Sequence, residues 1–156
     1  MAAVDYRKSV SHNSLRQYYV SVRAQLERIP LSLIQLLMRF AVGAVFFKSG
    51  LLKLNSWEFA IKLFEEEYKV PILSPVIAAW LATFNELAFS TLLVIGFATR
   101  VATLPLLGMI FVIQVFVYPL AWAEHLLWAS ILIFVLTRGP GALSLDHLVE
   151  RHFGEK

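Results

Sequence analysis

Arg39, Glu86, Gln114, Glu124 and His125 stand inside, or at the first turn of, stretches that are otherwise apolar. A carboxylate and an imidazole can carry a proton, while arginine, glutamine and imidazole can donate hydrogen bonds to an oxygen-bearing group. An ionisable side chain at bilayer depth is costly and tends to face a partner or a cavity, so each is a candidate for function. Counting from one membrane face at about 1.5 Å per residue places Arg39 and Glu86 at a common depth of roughly 12–14 Å, and an ion pair between them is expected. Gln114, Glu124 and His125 fall at roughly 18–21 Å by the same count, a second polar layer.

Each of these residues also has a plainer role. A buried arginine and glutamate can neutralise one another and fix helix register without further chemistry. Glu124 and His125 can be interfacial polarity at the positive end of a helix dipole. The four histidines make no convincing metal site: His147 and His152 are five apart, which does not place them on one helix face, and His12 and His125 are distant. The chain has no cysteine, which removes thiolate catalysis, cysteine-ligated iron-sulfur clusters and disulfide relays. No phosphate loop, nucleophile elbow or catalytic triad appears, and neither a metal nor a covalent cofactor is expected.

The elements that must position these side chains are membrane helices. Hydrophobic residues make up 58% and charged residues 16% of the 156, with mean hydropathy +0.67, whereas soluble domains carry roughly a quarter charged residues. An all-α, four-helix transmembrane bundle with short interfacial amphipathic helices is expected, its spans at about 31–54, 75–95, 100–118 and 121–137. Residues 1–30 form a basic N-terminal segment in which Leu15, Tyr18, Tyr19, Val22, Leu26 and Ile29 recur at helical spacing, suited to a membrane surface. No cleavable signal is expected, since the first long apolar run begins at Leu31. Residues 31–156 form the second domain.

In the first span Arg39, Gly43, Phe46, Gly50 and Lys53 share one stripe that should face the bundle, with Lys48 off it and snorkelling. Residues 55–69 read as a second interfacial helix with Trp57, Ala60, Ile61, Phe64 and Tyr68 on one face. Ser74 and Pro75 open the second span, whose small and polar face around Glu86 includes Ala79, Ala82, Thr83 and Ser90. The third span should be capped by Thr99 and present Arg100, Thr103, Leu107, Gln114 and Tyr118 along one stripe, bending at Pro105. Trp122 and Trp128 read as interfacial anchors of the fourth. Gly139-Pro140-Gly141 stops it, and Ser144 with Asp146 opens a last amphipathic turn.

Taken in order, several motifs resemble the DoxX family of four-helix integral membrane proteins. They are Arg39 with Phe47-Lys48-Ser49-Gly50-Leu51-Leu52-Lys53-Leu54, then Pro71, then Glu86 followed by Gly96-Phe97-Ala98-Thr99-Arg100, and finally Gly139-Pro140-Gly141-Ala142-Leu143-Ser144-Leu145-Asp146. The resemblance runs over about 33–147. It implies a subunit of a redox-linked complex in the cytoplasmic membrane that acts with a protein partner or as a homo-oligomer, with a quinone as the candidate cofactor. Under that implication the two polar layers bracket a quinone head group, Gln114, His125 or Arg39 donating to its oxygens and Glu86 or His125 passing a proton. Distant relatives in assembly or trafficking leave a non-catalytic scaffold as the alternative, and a small-solute carrier is a third. Whether the chain is an enzyme is open at this point.

The net charge of +3 does not point to nucleic acid, because most basic residues flank the spans. Arg7, Lys8, Arg16, Arg23, Arg28, Arg100, Arg138, Arg151 and Lys156 fall on one side, against Lys62, Lys69 and the boundary residue Lys53 on the other. The positive-inside rule predicts both termini in the cytoplasm. Reporters fused after Lys156 and inserted near Glu66 should therefore report opposite faces of the membrane, and a common face would overturn the assignment.

Overall fold

A computed structural model describes residues 15–154, so Arg7, Lys8, His12 and Lys156 lie outside the described residues. The chain divides into two compact units, residues 1–31 and 32–156. In the first, helix α1 (residues 15–26) exposes Leu15, Tyr18, Tyr19, Val22 and Leu26, with Arg23 paired to Glu27 one turn away at 2.7 Å.

The second unit is built from α2 (Leu31–Asn55), α3 (Trp57–Lys62), a π-helical turn at Leu63–Tyr68, α4 (Pro75–Ile95), α5 (Thr99–Val112) continued by a π-helical turn at Ile113–Val117, α6 (Trp122–Arg138) and α7 (Leu145–Phe153). The long helices α2, α4, α5 and α6 run alternately up and down. Three segments, Leu31–Asn55, Pro75–Ile95 and Thr99–Val117, are long and apolar enough to cross a membrane. The fourth helix, α6, has 17 residues, at the short limit for a span.

The distribution of side chains is that of a protein in lipid. Phe40, Phe47, Trp80, Phe84, Phe111, Leu126 and Ile133 point outward, while Gln35, Arg39, Thr83, Glu86, Ser90, Thr103, Gln114 and His125 are buried. Several hydroxyls in the spans donate to carbonyls of their own helix, as in Thr83 to Ala79 at 2.8 Å and Thr91 to Leu87 at 2.6 Å. The apolar core is correspondingly small and drawn from all four long helices: Val42, Phe46, Leu93, Leu106, Ile110, Leu132 and Val135. This chain is an all-α integral membrane protein.

Glycines set the closest helix contact. A Cβ on Gly50 would stand 2.7 Å from Leu87 Cγ and 3.1 Å from Glu86 Cβ, and one on Gly43 would collide with Val94. The stripe expected on α2 is thus the seam against α4. The face expected on residues 55–69 also forms, with Phe64 packing on Ala78 and Ala79 beside Trp57, Ile61 and Tyr68. Ser74 caps α4, its Oγ accepting from Ile77 N at 3.4 Å, and Lys48 is exposed.

Three expectations are corrected. Thr99 does not supply the cap of α5: Asp146 does, accepting from Ala98 N at 2.7 Å, Thr99 N at 2.9 Å and Thr99 Oγ1 at 2.7 Å. A carboxylate satisfies orphan amides at a helix start and meets the positive dipole end, which a lone threonine hydroxyl does less well. The buried face of the third span is Thr99, Ala102, Thr103, Leu106, Ile110 and Gln114, leaving Arg100 and Tyr118 exposed; the π turn shifts the helical phase beyond Val112, so one stripe cannot run the whole length. Trp128 turns inward onto Phe46, with ring centroids 5.8 Å apart, while Trp122 is exposed as an anchor would be.

Asp146 also donates its backbone N–H to Gly96 O at 2.8 Å, so one residue ties the α4–α5 loop to the start of α7. Asp146→Ala should cost about 1–2 kcal/mol, in the range of a lost N-cap, measured as unfolding in detergent. Asp146→Asn, which keeps one acceptor, should fall between.

Candidate functional site

Two ends of the second unit need names: the α7 end, where α4 and α6 finish, and the α3 end, where α2 finishes. Side chains on a helix lean toward its N-terminus. Arg39 and Lys53 on α2 therefore lean toward the α7 end, and Glu86 on the antiparallel α4 leans toward the α3 end. Glu86 and Lys53 converge as a result. Arg39 and Glu86 diverge.

The expected Arg39–Glu86 ion pair is accordingly absent, and their backbones do not share a depth: Glu86 stands level with Gly50, where a Cβ would be 3.1 Å from Glu86 Cβ, roughly 16 Å along α2 from Arg39 at about 1.5 Å per residue. Lys53 Nζ stands 2.8 and 2.9 Å from the two oxygens of Glu86. Ser49 Oγ donates to Glu86 Oε1 at 3.0 Å and accepts from Lys53 at 2.9 Å. The lysine and glutamate side chains retain only 12% and 4% exposure. Arg39, fully buried, donates instead to the carbonyls of Leu93 at 3.4 Å, Val94 at 3.3 Å and Leu143. A guanidinium at the carbonyl end of α4 also meets the negative end of that helix dipole.

Across the bundle, α5 and α6 hold the second polar pair. Gln114 Nε2 donates to Pro119 O at 2.8 Å, which leaves its Oε1 facing His125 Nδ1 at 2.6 Å. An amide oxygen can only accept, so Nδ1 carries the hydrogen and Nε2 is the ring nitrogen left for other work. The Gln114 side chain is seated in the second π turn, a type of element often found at functional sites.

Lys53, Ser49, Glu86 and His125 line one cavity of about 1080 Å³ between the four long helices, toward the α3 end. Its walls are mainly apolar, including Phe46, Met109, Val112, Ile113 and Trp128, with Phe64, Tyr68 and Tyr118 near the α3 segment. Asn85 lines it too: Nδ2 donates to Pro105 O at 3.1 Å, and Oδ1 is buried without a partner among the described residues. Gly108 opens onto it as well, with no atom within 4 Å of where a Cβ would be.

Of the residues singled out from sequence, the fold gathers Glu86, Glu124 and His125 around this cavity, with Gln114 behind His125. Glu124 is exposed at its edge. Arg39 is not part of it. Gln35 Nε2 donates to Gly139 O at 3.1 Å, and Ser144 Oγ donates to Gly141 O at 2.6 Å. Gly96, Gly139 and Gly141 adopt positive φ, and Cβ atoms on Gly96 and Gly141 would strike Arg39 and Gln35. These residues, with Arg39 and Asp146, lock the α7 end. Ser49, Asn85 and Gly108 were missed in the sequence, where a lone serine, asparagine or glycine in a span gives little signal.

The family model described as DoxX matches residues 34–119, just over half of the chain. The chain belongs to the DoxX family. The matched part of this DoxX protein carries Arg39, Lys53, Glu86, Arg100 and Gln114, while His125 and the Gly139–Asp146 segment lie beyond it. An uncharacterized protein of Haemophilus influenzae is 29% identical over 131 residues, covering 78% of this chain and 86% of its own length. No solved structure matches.

The pairing geometry can be tested by double substitution. Lys53→Met and Glu86→Gln should each cost roughly 3–5 kcal/mol by stranding a buried charge or its partner, and the double variant should recover most of that loss. Arg39→Gln with Glu86→Gln should instead lose the sum of the two single effects. Thermal or denaturant unfolding in detergent reads both cycles, and coupling between Arg39 and Glu86 would contradict the geometry.

Proposed function

We propose that this DoxX-family protein is a quinone-binding subunit of a redox-linked complex in the cytoplasmic membrane, both termini facing the cytoplasm, acting with a protein partner that carries the electrons. The observation that carries the reading is the cavity with apolar walls and two polar clusters, Lys53–Glu86–Ser49 and His125–Gln114. Ligand pockets of this kind combine a large apolar lining with a few placed polar groups.

The residues fit the group. Apolar walls suit a ring and an isoprenoid tail, and His125 Nε2, with Nδ1–H held by Gln114, can accept from a hydroxyl of the reduced form. The unpartnered Oδ1 of Asn85 suits a hydroxyl of the reduced form. A bound quinone would supply two-electron, two-proton chemistry. His125 Nε2 would hold or release a proton, with Nδ1–H fixed by Gln114. Glu86, held by Lys53 and Ser49, is the second group that could exchange one. The Lys53–Glu86 pair is neutral overall, which favours an uncharged ligand beside it.

Protein purified in mild detergent and extracted for lipids should yield quinone at a fixed ratio to the chain. Gly108 lines the cavity and a Cβ there would meet no atom within 4 Å, so Gly108→Leu adds bulk at the cavity wall. It should abolish that quinone while raising helix stability by about 0.5–1 kcal/mol. Undiminished quinone in a folded Gly108→Leu variant would move the ligand elsewhere. An empty bundle in a stable partner complex would favour a scaffold, and concentrative uptake by proteoliposomes a carrier.

A further inference from the structure

A second cleft, of about 480 Å³, opens at the α7 end, and the proposed function makes no use of it. Arg100, the second residue of α5, and Arg138, the last of α6, both line it. The Arg100 guanidinium lies across the residue that follows Arg138: a Cβ on Gly139 would be 3.4 Å from its Nη2 and 3.8 Å from its Nε. A larger residue at 139 would crowd that guanidinium out of the cleft.

Both arginines are exposed, and neither makes an ion pair or donates a side-chain hydrogen bond among the described residues. Two carboxylates share the lining, Asp146 and Glu150. Both oxygens of Asp146 are committed to the start of α5, which leaves Glu150 as the one uncommitted carboxylate in the lining. Two planar forks without carboxylate partners suit a tetrahedral oxyanion, which accepts from each of them.

Position narrows the source of that anion. Arg100 and Arg138 stand at the very ends of two spans, which is head-group depth. Near them α7 exposes Leu145, Leu148, Val149 and Phe153, an apolar face suited to a membrane surface. The sequence charge count assigns this end to the leaflet rich in anionic lipid. We infer that the cleft between α5, α6 and α7 binds the phosphate of an anionic phospholipid, held between Arg100 and Arg138 with its acyl chains against the apolar surface beside α7.

The test uses the full chain in nanodiscs of phosphatidylcholine containing a minor fraction of phosphatidylglycerol, followed by release into detergent and native mass spectrometry of the retained lipid. Wild type should retain phosphatidylglycerol, and Arg100→Gln with Arg138→Gln should lower that retention about tenfold or more, the scale of one charge-assisted hydrogen bond. Arg151→Gln, on α7 outside the cleft, should retain as wild type does. Both arginines are exposed, so unfolding temperatures should match and show that all variants are folded. Equal retention by the double variant, or equal loss in Arg151→Gln, would overturn the site. Inorganic phosphate or glycerol phosphate protecting wild type as strongly as the lipid would overturn the lipid assignment.

Discussion

The seam between α2 and α4 is the contact on which the rest of the second unit depends. Gly43 and Gly50 remove the side chains that would hold those helices apart, bringing Glu86 Cβ and Leu87 against α2. One seam then serves two buried cations by different means. At one end Lys53 meets a carboxylate, and at the other Arg39 meets the last carbonyls of α4. In lipid neither cation has water to fall back on, so its partners come from the protein, and Arg39 still leaves Nε without one among the described residues.

Much of this was legible in the sequence. Composition indicates the class, the bounds of the long helices are legible to within a residue or two, and step-four and step-three spacing finds the α2 seam from Arg39 to Lys53. Ser74 and Gly139 marked helix ends because their chemistry is local. What stayed hidden depended on direction or on distant segments. Depth arithmetic pairs Arg39 with Glu86 because it counts from helix ends as if they were level, whereas α2 begins well beyond the end of α4, so that Gly43 meets Val94 and Gly50 meets Glu86. The cap on α5 was assigned to Thr99 because Asp146, which provides it, is far along the chain and is brought there by the fold. The Gln114–His125 bond was grouped correctly as a layer, but the π turn that seats Gln114 has no clear signature in the residues Ile113–Val117.

The two ends of the second unit are built differently. At the α7 end Gln35, Arg39, Ser144 and Asp146 bond to backbone groups of loops and helix ends, and positive-φ glycines admit them at close range. Such contacts fix chain segments, around a cleft of about 480 Å³ that Gln35 and Asp146 help to line. At the α3 end the contacts are aromatic and the helices carry both π turns: Tyr68 packs on Phe64 and Tyr118, and Tyr118 donates to Glu67 at 2.7 Å. Rings and π turns fill volume less completely than interlocked backbone, and the large cavity is found here.

Charge balance separates what the two ends can accept. Around the cavity Lys53 and Glu86 cancel, Gln114 and His125 bond to one another, and Glu124 is exposed at the edge, so a charged ligand deep inside would meet no free counter-charge to offset its desolvation. Hydrogen bonding and shape must do the selecting, which is the regime of an uncharged amphipathic molecule. At the α7 end Arg100 and Arg138 make no ion pair among the described residues, although Asp146 and Glu150 line the same cleft. The same small bundle therefore presents a paired interior and two unpaired arginines at its rim, and the difference follows from where the acids went: Glu86 to Lys53, and Asp146 to the first turn of α5.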